Sequence, residues 1–314
     1  MSPFSLIYGA ATRLRNDLYD RRVLKQHHLT KSVVSVGNLS VGGSGKTPFV
    51  ILLGELLKAR NITFDVLSRG YGRRTRGVLA VDPNGSPDDF GDEPLLIARR
   101  LQCPVVIGED RYQAGLLTEK QSSSQLHLLD DGFQHRSLAR DFDIVLLTAA
   151  DVCDHLLPQG RLREPLSSLR RADALVLSGD IEIRDLPSSD ARIWKVRRGL
   201  SLENPPQKPF VFCGIARPSA FVEQLRGSGV QESGTKFYRD HHRYSEQDIG
   251  DLLKLKEKSR AGGFITTEKD AANLGPLLSR LGEVSVVRVT MELDQPDAAL
   301  DTLLRVITER KARA

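Results

Sequence analysis

A doubly wound, mainly parallel α/β fold, followed by a second and smaller α/β unit, is what the 314 residues predict. The first observation is a series of short apolar runs alternating with helix-like segments: SVVSVG (32–37), TFDVLSRG (63–70), PVVIG (104–108), LHLLDDG (126–132), FDIVLL (142–147) and ADALVL (172–177). Runs that are apolar throughout belong to parallel strands covered on both faces. The second is that the run at 32–37 opens into a glycine-rich loop with a helix pattern behind it. The third is composition: 40% apolar and 27% charged residues suit a chain that buries a large core in water.

Along the chain, PFSLIYGAATRLRNDLYDRRVL (3–24) comes first, with Phe4, Ile7, Ala11, Leu14 and Leu18 spaced by three and four on one helical face. Arg13, Arg15, Arg21 and Arg22 flank that stripe. Such a helix either docks on its own domain or lies in a membrane interface beside anionic headgroups. Residues 1–24 are therefore set apart from a core at 25–200 that holds the six runs. At 201–208 a polar, proline-containing stretch breaks the pattern and reads as a linker. Beyond it PFVFCGIA, GTKFYRD, GGFITT and VSVVRVT supply four more strands for a unit at 209–314, and DAALDTLLRVITERKARA closes the chain as an amphipathic helix with a basic end.

No run nears the ~18 consecutive apolar residues of a spanning helix, and the first residues lack the apolar centre and cleavage site of a secretory signal. A cytoplasmic chain is expected. Cys103, Cys153 and Cys213 stand far apart in apolar surroundings and predict buried thiols, with no disulfide framework or zinc cluster. A net charge of +5 suits an anionic partner, with lipid, phosphorylated substrate and nucleic acid all open.

The loop VGNLSVGGSGKTP (36–48) carries the first chemistry. In G-x-x-x-x-G-K-[ST], backbone N–H groups cradle phosphates, the lysine reaches the β and γ oxygens and the hydroxyl binds Mg²⁺. Gly42, Gly43, Ser44, Gly45, Lys46 and Thr47 fit that cradle, although Ser40 stands where the motif has its first glycine. Pro48 falls in the first helical turn, where a missing N–H costs nothing. The core is thus P-loop NTPase-like, with a nucleotide as the expected ligand. Its metal needs a carboxylate at the end of a neighbouring strand. LHLLDDG delivers Asp130 and Asp131 there, and Mg²⁺ is the implied ion.

The segments LSVGGSGKTP, LSRGYGRR, GDEP, LDDGFQHRSLARD, LLPQGRLREPLSSLRRAD, FCGIARP, DHHRY and TTEKDA follow in the order and rough spacing of the tetraacyldisaccharide 4′-kinase family, which the chain resembles over most of its length. The resemblance implies an ATP- and Mg²⁺-dependent enzyme that phosphorylates the 4′-hydroxyl of the acylated disaccharide 1-phosphate precursor of lipid A. It implies peripheral contact with the anionic inner membrane of a Gram-negative bacterium, on its cytoplasmic face. With it, membrane contact becomes the expected role of the first helix.

Asp92 in GDEP, read alone, is a helix entrance favoured by the dipole; the resemblance makes it the catalytic base, with Glu93 beside it. Arg69 and Tyr71 follow one strand end, and Arg163 and Arg171 lie in the arginine-rich stretch after another. They are candidate contacts for the acceptor and its phosphate. The resemblance gives His135 a site role and brings His241 toward the nucleotide phosphates or Asp92, with His242 as the fallback. TTEKDA reads first as a helix start capped by Thr267, with Lys269 facing the cleft.

Two other classes share the loop. A nucleotide switch should carry an Asn/Thr-Lys-x-Asp guanine-reading motif, and TEKD has its lysine out of place. A nucleic-acid ATPase should interleave its arginines with stacking aromatics, and only 6% of the residues are aromatic. No nucleic-acid partner is expected.

Overall fold

The structure, a computed structural model, describes residues 3–179, 181, 184 and 186–313. Helix α1 (Pro3–Asp20) leads into β1 (Ser32–Asn38), α2 (Lys46–Ala59), β2 (Phe64–Ser68), β3 (Leu79–Ala80), α3 (Pro87–Phe90), α4 (Asp92–Leu101), β4 (Val105–Ile107) and α5 (Arg111–Gln121). Next come β5 (Leu126–Asp130), β6 (Phe142–Thr148), α6 (Ala149–Val152), β7 (Ala174–Ser178) and β8 (Arg192–Ser201). The chain continues through β9 (Phe210–Cys213), α7 (Pro218–Gly227), β10 (Gly234–Phe237), α8 (Glu246–Ser259), β11 (Phe264–Thr267), α9 (Glu268–Leu274), β12 (Val284–Leu293) and α10 (Pro296–Arg313).

The strands line up as β10-β9-β11-β12-β8-β7-β6-β1-β5-β2-β4-β3. Neighbours are parallel except β8 with β12 and β3 with β4. All of β1 is buried because both its faces are covered. Val34 and Val36 pack with Phe49, Val50 and Leu53 of α2 and Leu101 of α4, while Val33 packs on the opposite side with Ala114 of α5. That two-sided burial is why the central strands read as unbroken apolar runs.

The second unit is not a separate sheet. β8 runs parallel to β7 and antiparallel to β12, so one continuous sheet joins the two parts. In β8, Trp194 and Val196 are buried between exposed Lys195 and Arg197, and this alternation lies hidden among four basic residues of RIWKVRRGLS. The expected linker at 201–208 starts at the last residue of β8. The final helix, expected with the smaller unit, returns to the core: Leu300, Leu303 and Val306 of α10 pack in the cluster of Phe49 and Val34.

Helix α1 docks by its polar side. Ser5, Gly9 and Asn16 are its buried residues. The Ser5 hydroxyl donates to the Leu156 carbonyl, the Tyr8 hydroxyl to the Arg163 carbonyl, and the Asn16 amide to the Glu164 carboxylate at 2.7 Å. The apolar stripe is left outside, with Phe4 72% and Ile7 67% exposed and Leu6 and Leu14 beside them. Among the described residues no helix is long and apolar enough to cross a membrane. Of the cysteines, Cys213 is buried, Cys103 partly so and Cys153 exposed, which corrects the expectation of three buried thiols; Cys153 caps the four-residue α6, where little covers it.

Candidate functional site

The carboxyl ends of β1, β5 and β2 converge on the loop ahead of α2. Gly45 takes φ 90°, a left-handed conformation that lets its carbonyl accept from the Phe49 N–H and start α2. A side chain there would run into Arg198 of β8 and Met291 of β12, which close over the loop from the second half of the sheet. The Arg198 guanidinium donates to the Ser44 carbonyl.

Lys46, first in α2, donates to the Asn38 side-chain carbonyl at 3.1 Å and lies 3.6 Å from Asp131. Arg163 grips Asp131 with both arms of its guanidinium, at 3.0 and 2.8 Å, and also donates to Asn38. Burial would push the Asp131 carboxyl up, but Lys46 and Arg163 outweigh it and hold it below the ordinary range. Asp130, one residue earlier, accepts from the Ser68 hydroxyl at 2.9 Å through Oδ2, while its buried Oδ1 has no hydrogen-bond partner. Burial, with the charges of Glu93 and Asp131, pushes it up to about 7. A buried carboxylate oxygen without a donor, beside a second carboxylate, is a hard-oxygen environment. Among the described residues no group of three or more His, Cys, Asp or Glu is placed to hold a metal ion by itself.

Asp92 starts α4 and is only 4% exposed. The Glu93 N–H donates to it at 3.0 Å, and His241 Nδ1 lies 2.9 and 3.1 Å from its two oxygens. Burial raises the Asp92 carboxyl, yet the His241 hydrogen bond and the charge of Lys269 outweigh it and keep it below its usual range. His241 sits between β10 and α8 at φ 59°, held there by its N–H on the Gly214 carbonyl. His242 turns away, stacked on Tyr238 with ring centroids 4.4 Å apart and facing Asp248. Of the tandem pair, His241 is the one that meets Asp92.

Tyr71 is exposed with its ring 5.4 Å from that of His241, and Arg69 beside it is exposed on the same loop. Partly buried His135 accepts or donates at 3.1 Å to the Ser137 hydroxyl, and burial holds it down at about 4. Arg171 meets other groups than those above. Its buried guanidinium lies 2.9 Å from Glu164 and 4.3 Å over the Phe133 ring, where it is the counter-ion of the carboxylate that anchors Asn16 of α1.

Sequence reasoning missed Arg198, Asn38 and Arg111. Arg111 opens α5, is buried, and feels the charges of Arg69, Asp131 and Asp130. Its signal was GEDR directly after the run PVVIG, a basic residue on the same strand edge as the aspartates. Arg198 gave no signal, because its strand was not read as one.

A family model described as tetraacyldisaccharide-1-P 4′-kinase matches residues 1–308. A tetraacyldisaccharide 4′-kinase of Koribacter versatilis is 47% identical over 99% of this chain and 100% of its own length. One from Geobacter metallireducens is 37% identical, covering 97% of both chains. The crystal structure of "apo" form LpxK from Aquifex aeolicus in complex with ATP superposes with a TM-score of 0.78 at 36% identity, covering 97% of each chain. With the whole length matched and the fold shared, the chain belongs to the tetraacyldisaccharide 4′-kinase family.

Proposed function

We propose that Asp92 accepts the proton of the acceptor's 4′-hydroxyl while Lys46, Thr47 and the loop's backbone N–H groups hold the phosphates of ATP. The enzyme is a kinase of lipid A biosynthesis, transferring phosphate from ATP to the 4′ position of a tetraacyldisaccharide 1-phosphate. The assignment of roles rests on one observation: a buried, ionised Asp92 held by His241 across the two parts of the molecule. Phosphoryl transfer asks chiefly for positioning and charge stabilisation, with a carboxylate to take the hydroxyl proton. Asp92 is oriented by two hydrogen bonds before any acceptor arrives. Lys46 places its ammonium where phosphate oxygens gather, and Arg163 fixes Asp131 in one rotamer. Thr47, Asp130 and Asp131 would hold Mg²⁺, which supplies neutralisation of phosphate charge. Arg69, Tyr71, Glu93, Arg111 and His135 surround these groups and are assigned to the acceptor.

Peripheral contact with the cytoplasmic face of the inner membrane is supported by Phe4, Leu6, Ile7 and Leu14, which α1 exposes beside Arg13 and Arg15 while its polar residues dock. Deleting residues 2–20 is expected to reduce sedimentation with anionic vesicles, and undiminished binding would refute the contact.

The decisive experiment is Asp92→Asn assayed with ATP and acylated disaccharide 1-phosphate in micelles. Turnover is expected to fall by roughly 10²–10⁴-fold, as for loss of a positioned base. ATP affinity is expected to hold or tighten slightly, since one carboxylate near the polyphosphate is neutralised. Near-normal transfer would leave Asp92 as a helix entrance only.

A further inference from the structure

Lys269, the second residue of α9, is the most heavily engaged charge near the site that the mechanism leaves without a task. Its Nζ lies 3.1 Å from Asp240 Oδ1, 3.1 Å from His241 Nε2, 3.5 Å from Asp92 Oδ2 and 3.8 Å from Glu93 Oε1. The side chain is 18% exposed. An ammonium at a helix start gains nothing from its own helix, because the partial charge there is positive. Its stabilisation comes from carboxylates on α4 and on the loop of His241.

The contact with His241 constrains the imidazole. An ammonium has three donors and no acceptor, so the ring nitrogen it touches must offer a lone pair. Nε2 is then bare, Nδ1 carries the hydrogen, and that hydrogen points at Asp92. The opposite tautomer would set an N–H against the ammonium and a lone pair against the carboxylate. An imidazolium would set two cations 3.1 Å apart.

We propose that Lys269 is a positioning residue for the acceptor base: it fixes His241 as the neutral Nδ1–H tautomer, so that the imidazole's one donor stays on Asp92. The inference rests on the reading of Asp92 as that base. The charged groups facing His241 are Asp92 and Glu93 on α4, Lys269 on α9 and Asp240 on its own loop, with the Tyr71 ring at its side. The hydrogen bond to Asp92 outweighs burial and the charge of Lys269, so His241 is raised above its ordinary value, and Lys269 limits that rise. Removing the ammonium lets His241 protonate at higher pH, where the new cation lowers the basicity of Asp92.

The test compares Lys269→Met, Lys269→Arg and Asp92→Asn across pH. Lys269→Met is expected to lower kcat up to about 10²-fold, the cost of a misplaced catalytic group, with KM for ATP unchanged. The acid limb of its pH–rate profile should move up by roughly half a unit or more as His241 protonates earlier. Lys269→Arg, which keeps the charge, should leave that limb where it is. A Lys269→Met limb at its wild-type position overturns the proposal. A second measurement needs no variant to fold well: nitrogen-15 NMR of wild-type histidines, with the His241 signal identified by its loss in His241→Gln. Read at a pH above the titration of His241, hydrogen on Nδ1 alone supports the proposal, and hydrogen on Nε2 overturns it. If Asp92→Asn is fully active, the base reading falls and Lys269 with it. If Asp92→Asn is inactive and Lys269→Met keeps both kcat and limb, only the role of Lys269 falls.

Discussion

Asn38 and Lys46 are eight residues apart, and the aspartates they meet emerge from the strand hydrogen-bonded to β1. Asp92 and His241 are separated by 149 residues and meet only because the second unit rests on α4. The nucleotide half of the site is therefore fixed by the parallel sheet itself: wherever β1 and β5 pair, Lys46, Asp130 and Asp131 follow. The acceptor half depends on a contact between parts, maintained by Arg100 on Glu268 at 2.9 Å, Arg243 on Asp88 at 3.0 Å and the ion cluster of Lys269. Such contacts between charged side chains hold more weakly than a buried sheet. The difference teaches that nucleotide binding and acceptor activation are separable properties, and mutations should separate them.

The sharpest break is Lys46→Ala. It should lose transfer by about 10³-fold or more and weaken ATP binding with it, whereas Asp92→Asn should lose transfer alone. Equilibrium binding of ATP beside single-turnover kinetics would show the split. If both variants lost ATP equally, the two halves would be one. A milder cut on the nucleotide side is Arg163→Met, which frees Asp131 from its bidentate grip. A supporting partner of a ligating carboxylate is worth about 10–100-fold in metal affinity or activity. The deficit should shrink as Mg²⁺ is raised in the assay, and a deficit independent of Mg²⁺ would mean that Arg163 acts elsewhere.

The same contrast governs what could be read from the sequence. The nucleotide half was legible because strand, loop and helix are contiguous, so VGNLSVGGSGKTP and LHLLDDG each carry their own structural context. The acceptor half was reached through resemblance, since nothing in GDEP or DHHRY states that they touch. Between His241 and His242 only the backbone decides: the positive φ of His241 turns one ring to Asp92, while the next stacks on Tyr238. The partner of Arg171 was not legible, because an arginine-rich stretch looks the same whether it meets solvent, phosphate or a buried Glu164. Helix α1 marks a different limit. Its periodicity correctly marked an apolar face, but the side that docks is Ser5, Gly9 and Asn16, which hydropathy takes for the outside.

The scaffold behind the acceptor half can be weakened at a residue one step removed from Asp92 and His241. Asp270 accepts from the Gly214 N–H at 2.8 Å, the Tyr244 hydroxyl at 2.8 Å and the Thr267 hydroxyl at 2.6 Å, and so ties β9, α8's leading loop and the cap of α9 together. Asp270→Ala leaves those buried donors without an acceptor and should cost about 2–4 kcal/mol. If the halves are separable, chemical unfolding should show a second unit that melts earlier while ATP still binds. A single transition shifted as a whole would show that the continuous sheet couples the parts more tightly than their side-chain contacts suggest.

The smallest effect lies in the turn after β5 and is read by pH. His135 is partly buried in the turn after β5, and burial together with the positive charge of Arg111 holds it at about 4 against an ordinary 6.5. A depressed value means that the folded chain binds a proton less readily than the unfolded chain. Its contribution to stability is complete above pH 6.5 and is lost as pH falls through the window down to about 4. The ring is partly open to solvent, so about 1–2 kcal/mol is at stake. His135→Gln removes the titration, and its stability should fall less steeply than that of the wild type between those limits. Thermal unfolding of the two proteins across the window tests this directly, with the gap between their melting temperatures changing through it and constant above it. Parallel curves would place His135 in the open, free of the field of Arg111, and would remove it from the packed surroundings of the aspartates.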